Sequence, residues 1–97
     1  MKTKKEILLI LNQSKDVLKN KFRIKDLWLF GSFVRGDQRK KSDIDVLVNF
    51  DDGATLFDWV GAGQYLEKKL GRKVDVVSRR ALRKEFREAV FKERVHI

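Results

Sequence analysis

Asp43 and Asp45 stand two residues apart in the stretch Ser42-Asp43-Ile44-Asp45-Val46-Leu47-Val48. A third aspartate, Asp75, interrupts another apolar run, Val74 to Val77. On a strand, residues i and i+2 face the same way with α-carbons ~6.6 Å apart. Two carboxylates held that close repel each other unless solvent, a base or a cation neutralises them. Oxygen-only ligands suit Mg2+ or Mn2+. Asp75 is costly to bury alone in its strand. If the two strands are neighbours, three carboxylates converge and can hold two metals ~3.5–4 Å apart, an arrangement that serves in-line phosphoryl displacement. An Asp-x-Asp pair by itself also fits the solvent face of an ordinary strand.

Gly31-Ser32 adds a second kind of chemistry. It follows the apolar run Leu27-Trp28-Leu29-Phe30 and opens a possible helical turn, Phe33 to Gly36. Free backbone amides and a hydroxyl at such a position hold phosphate oxygens, and glycine lets the backbone approach them closely. Arg35, one helical turn beyond Ser32, can add charge to a leaving group. An isolated Gly-Ser pair is also an ordinary turn.

Positioning these residues needs few elements. Thr3-Lys4-Lys5-Glu6 has the form of a capping box, and Ile7, Leu11, Leu18 and Phe22 recur on one face of a helix over 4–21. A strand is expected over 25–30 and another over 43–50, with Asp51-Asp52-Gly53 as a turn. A helix over 55–70 turns Leu56, Val60, Leu66 and Leu70 inward and stops at Gly71, with Gly61 and Gly63 as local weak points. A third strand covers 73–77. A last helix over 79–92 packs Leu82, Phe86, Ala89 and Val90 inward. The expected fold class is α/β (α+β): a small mixed β-sheet of about three strands flanked by helices, in a single domain over 1–97.

Composition narrows the function classes. The 97 residues are 42% apolar and 38% charged, as befits a charged globule rather than a disordered tail. The longest apolar run, Ile7 to Leu11, falls far short of the ~18 residues of a membrane span. Without cysteine, disulfides and thiolate sites are excluded, and the single histidine, His96, rules out a multi-histidine zinc site. The Lys-rich N-terminus lacks a signal-type apolar core, so a cytoplasmic location is expected. The net charge of +9 is uneven: 1–25 and 70–97 are strongly basic, whereas 26–69 holds six bases and eight acids. A basic exterior attracts polyanions, and an acidic centre within it is what a divalent-metal site would produce.

Taken together, Gly31-Ser32-Phe33-Val34-Arg35-Gly36 and Ser42-Asp43-Ile44-Asp45-Val46-Leu47-Val48 closely resemble the signature Gly-Ser-x-x-Arg-Gly … Ser-Asp-x-Asp-x-x-Val of the DNA polymerase beta-like nucleotidyltransferases. The likeness extends over nearly the whole chain, and the length is similar to the minimal nucleotidyltransferase branch, whose members are often the MntA-type antitoxin of a HEPN/MNT toxin–antitoxin pair. The resemblance implies that Gly31 and Ser32, with Arg35 and Ser42 in support, bind the nucleotide. It implies that Asp43, Asp45 and Asp75 ligate two Mg2+ (or Mn2+) ions and form the catalytic set, with Asp75 helping to activate the attacking hydroxyl. By the same resemblance the substrate is ATP, the reaction moves AMP onto a tyrosine of a HEPN-domain ribonuclease toxin, and pyrophosphate leaves. The loop Asp37-Gln38-Arg39-Lys40-Lys41 is more basic than is usual there and lacks the common proline, which bears on acceptor specificity. Nucleotidyl transfer to RNA or to a small molecule such as an antibiotic is the nearest alternative enzyme. A catalytically silent, partner-binding regulatory subunit is another.

Weaker signals carry less. Gly61-Ala62-Gly63 starts a dinucleotide-like fragment, but position 66 is leucine and no strand precedes it. There is no Walker-type loop. Trp28 is expected in the core, and Trp59 and Tyr65 in core or boundary packing rather than on a base. Arg79, Arg80, Arg83, Lys84 and Arg87 are dense enough for nucleic acid, although a solvated helix face is the more frequent cause. His96 is given no role.

Overall fold

The computed structural model describes residues 2–97. Helix α1 (Lys4–Phe22) begins at the expected capping box: Thr3 Oγ1 accepts from Glu6 N–H at 3.2 Å, and Glu6 Oε1 accepts from Thr3 N–H at 3.2 Å. The chain continues through β1 (Ile24–Phe30), α2 (Ser32–Arg35), β2 (Ile44–Phe50), α3 (Leu56–Leu70), β3 (Val74–Ser78), α4 (Lys84–Glu93) and β4 (Val95–His96). The sheet is mixed, in the order β3-β2-β1-β4. β1 runs antiparallel to β2 and β4, and β2 runs parallel to β3, as a strand–helix–strand crossover allows.

Alternation along the strands divides the interior into two layers. Ile44, Val46 and Val48 of β2 and Val74 and Val76 of β3 join Ile7, Leu11 and Leu18 of α1 and Ala62, Leu66 and Leu70 of α3 in the larger core. The opposite face carries Trp28 and Leu47 against Val90 of α4, with Phe30, Val77, Leu82 and Phe91 around them. Asp45 and Asp75 have the parity of Leu47 and Val77 and so share this second face. Among the described residues, no helix is long and apolar enough to cross a membrane.

Several expectations are corrected. The sheet has four strands rather than three. The last helix does not start at 79: Arg79–Ala81 form a 3-10 turn, and α4 begins at Lys84. The fourth strand is two residues long, too short for any alternation to betray it, and includes His96, whose ring lies 5.3 Å from that of Trp28. Leu56 and Val60 were expected inward but are 67% and 52% exposed, because only the later turns of α3 lie over the sheet. Phe86 and Ala89 are likewise exposed, since α4 meets the sheet chiefly through Val90. Gly61 is a packing position as well as a weak point: a Cβ there would stand 2.6 Å from Phe22 Cε1, so the missing side chain lets α1 and α3 approach.

Candidate active site

Backbone pairing brings the scattered site residues together. Phe30, the last residue of β1, is the register partner of Asp45. The chain then turns at Gly31, with φ +83°, a conformation that favours glycine. A Cβ at Gly31 would stand 2.9 Å from Asp45 Cγ and closer still to its Oδ2. Glycine is therefore required twice, by the turn and by the carboxylate above it. On the other side of β2, the parallel register sets Asp45 beside Asp75. Asp43 lies just before β2 and is half-buried, whereas Asp75 is exposed on the edge strand.

Gly31, Arg35, Asp45, Asp75, Phe86 and Glu93 line a cleft of about 390 Å3, and Asp43 stands outside this lining. Burial pushes the Asp45 carboxyl up to about 6; the charges of Asp75, Asp43 and Glu93 act in the same direction, and Arg35 opposes them. The cleft thus holds more negative charge than its own arginine offsets, and it offers only oxygen donors. Both properties fit a hard divalent cation. Among the described residues, no three His, Cys, Asp or Glu side chains are grouped so as to hold a metal by themselves. Mg2+ is commonly bound through one or two carboxylates together with substrate phosphates and water, so a pair such as Asp45 and Asp75 matches that kind of site.

The remaining expected residues take different places. Ser32 opens α2 beside the cleft, and its hydroxyl makes no hydrogen bond among the described residues. Arg35 lines the cleft and is engaged twice: Nε donates to Asp37 Oδ2 at 3.1 Å, and Nη1 donates to both Glu93 oxygens at 3.2 Å. Ser42 braces the loop before β2, its Oγ accepting from Arg39 N–H at 2.7 Å, while its carbonyl accepts from Arg72. Trp59 Nε1 donates to Val76 O at 2.7 Å and so ties α3 to the strand that carries Asp75. Arg79 is not simply a solvated charge, because its guanidinium lies 5.8 Å from the Trp28 ring centroid and 5.5 Å from that of Phe91.

Glu93 escaped the sequence reading. It ends α4, and its Oε1 accepts from Gly31 N–H at 3.0 Å. In the sequence it is one acid between Lys92 and Arg94 in a basic segment, 62 residues from its partner. Only the return of the chain through β4 onto β1 brings it to the turn.

A mixed sheet presenting paired carboxylates beside a Gly-Ser turn defines a class that agrees with the comparisons. Residues 11–97 match the family described as nucleotidyltransferase domain, and the chain belongs to that family. It is a nucleotidyltransferase of the minimal kind. It is similar to Protein adenylyltransferase MntA of Thermococcus cleftensis, with 35% identity over 97 residues covering 100% of this chain and 98% of the relative. A solved structure provisionally described as a minimal nucleotidyltransferase superposes with a TM-score of 0.77 at 34% identity, covering 94% of this chain and 95% of the other. A toxin–antitoxin crystal structure with AMP-PNP superposes with a TM-score of 0.72 at 26% identity, covering 93% and 70%. An MNT antitoxin in complex with tri-AMPylated Shewanella oneidensis HEPN toxin shares the fold at 22% identity, with a TM-score of 0.66 and coverage of 93% and 70%.

Proposed function

We propose that the chain is a Mg2+-dependent protein adenylyltransferase antitoxin that transfers AMP from ATP to a tyrosine of a HEPN-domain toxin. The observation that carries the proposal is the placement of Asp45 against both Gly31 and Asp75, which puts a phosphate-approach turn and two carboxylates around one cleft. In this reading Gly31 and Ser32 hold the triphosphate, with Arg35 close to its charge. Asp45 and Asp75, with Asp43 just before β2, would hold the metal ions together with the substrate phosphates, and the ions would supply charge stabilisation to the phosphoryl oxygens. Asp75, exposed at the sheet edge, faces the incoming acceptor. The tyrosine hydroxyl gives its proton to Asp75 as its oxygen forms a bond to the α-phosphorus, the bond from that phosphorus to the β-phosphate oxygen breaks, and pyrophosphate departs. Ser42 acts from behind by bracing the loop that leads into Asp43.

The AMP-PNP complex supports ATP as donor, and the HEPN toxin complex supports the acceptor class. The test uses purified chain, Mg2+, ATP labelled at the α-phosphate and a lysate of the source organism, with an Asp43→Asn/Asp45→Asn variant as control. Carboxylate-dependent label on a tyrosine of one HEPN-domain protein is the expected result. Label on RNA or on a small molecule would replace the proposed acceptor. No carboxylate-dependent label with the HEPN protein present would reject transfer and leave a regulatory subunit.

A further inference from the structure

Glu93 occupies a curious position for a carboxylate. Its Oε1 takes the Gly31 amide at 3.0 Å, and its two oxygens share Arg35 Nη1 at 3.2 Å. A main-chain amide and a guanidinium gripping one group of acidic oxygens is how a phosphate is held. The same carboxylate places a third acidic side chain, with Asp45 and Asp75, around the cleft. Its side chain is 23% exposed and belongs to the last residue of α4, so rotation about its own bonds can release it without moving the helix.

We infer that Glu93 is an internal competitor for the nucleotide: in the free enzyme its carboxylate fills the phosphate position formed by Gly31 N–H and Arg35, and binding of the triphosphate displaces it. The inference rests on the proposed nucleotide-binding role of the Gly31 turn and deepens it by naming the residue that sets affinity there. A competitor that fills the site most of the time lowers apparent affinity in proportion to the fraction of free enzyme left open. If the open fraction is about one tenth, removing the carboxylate strengthens phosphate binding roughly tenfold.

The test is calorimetric titration of the full chain and of Glu93→Ala, Glu93→Gln and Asp37→Asn with Mg-ATP, inorganic triphosphate and adenosine. Asp37 also pairs with Arg35 but does not reach Gly31 N–H, so its variant reports the general effect of removing one acid from this arginine. The expected order of triphosphate affinity is Glu93→Ala, then Glu93→Gln, then the unaltered chain. The gain for Glu93→Ala should exceed that for Asp37→Asn, and adenosine affinity should stay level. Glu93→Gln keeps an acceptor for Gly31 and stands in if the alanine variant does not fold. Equal or weaker triphosphate binding by folded Glu93 variants, or a gain matched by Asp37→Asn, would overturn the inference while leaving nucleotide binding intact. Failure of the unaltered chain and every variant to bind Mg-ATP or triphosphate would instead overturn the nucleotide-binding reading, and this inference with it.

Discussion

The Asp45 carboxylate lies directly over the α-carbon of Gly31, so close that no side chain fits between them. The two motifs of the signature are therefore one structural unit, and a change in either displaces the other. Gly31→Ala forces a Cβ into the carboxylate and places alanine at φ +83°, which L-residues rarely adopt. Displacing a catalytic group by about 1 Å can cost roughly 100-fold in rate. We expect AMP transfer to fall by about that factor or more, together with a lower Tm, measured by α-phosphate labelling and thermal melts.

Asp45 gives a pH dependence of definite sign. Its carboxyl titrates at about 6 in the fold against an ordinary 3.8, so over that interval the folded chain holds a proton that the unfolded chain has released. Its contribution to stability is fully present below about pH 4 and is lost as pH rises through 6. Thermal melts of metal-free protein from pH 4 to 8 should show Asp45→Asn gaining Tm relative to the unaltered chain as pH rises. Mg2+ with AMP-PNP should raise the Tm of the unaltered chain and do little for the variant, which should also fail to transfer AMP.

Gly61 tests the packing of α1 on α3. Alanine is favoured over glycine in a helix by about 1 kcal/mol, but its Cβ would stand 2.6 Å from the Phe22 ring, and overpacking costs typically about 1–3 kcal/mol. The net expectation for Gly61→Ala is a loss of about 1 kcal/mol, or a Tm lower by about 4–8 °C. Urea titration measures it. A stabilised variant would show that the Phe22 ring moves aside freely.

Trp59→Phe removes the indole donor to Val76 O while keeping an aromatic ring. One lost hydrogen bond of this kind costs about 0.5–1.5 kcal/mol. Since β3 also carries Asp75, catalysis should weaken modestly alongside stability, read as kcat and the urea midpoint of the same preparation.

Much of this arrangement was legible in the residues, and what was missed has a physical pattern. Period-two alternation around Ile44, Val46 and Val48 was enough to place Asp45 on the strand's second face, whereas Asp43, expected on the same strand, lies just before it. Thr3 and Glu6 announced the first helix through a local device. The errors fall where long-range packing overrides local pattern. Leu56, Val60 and Phe86 sit at helical spacing yet project beyond the sheet, so periodicity alone mistook them for core. β4 is defined only by its pairing with Trp28 and Leu29. Glu93 acquires its partners through that pairing. The phosphate roles of Ser32 and Arg35 were readable from the Gly-Ser turn itself and that of Ser42 only from resemblance to the signature, and the geometry adds that Arg35 is already engaged and that Ser42 supports its loop.

The parallel pairing of β2 with β3 has a consequence for the order of assembly. Asp45 and Asp75 meet only when the chain has crossed over through α3 to lay β3 along β2, a non-local closure of the kind that slows folding. Their mutual repulsion is therefore met when this crossover closes. Mild acid or a divalent cation should ease that closing step, so the carboxylates that await a substrate in the finished enzyme also bear on how readily the two strands come together.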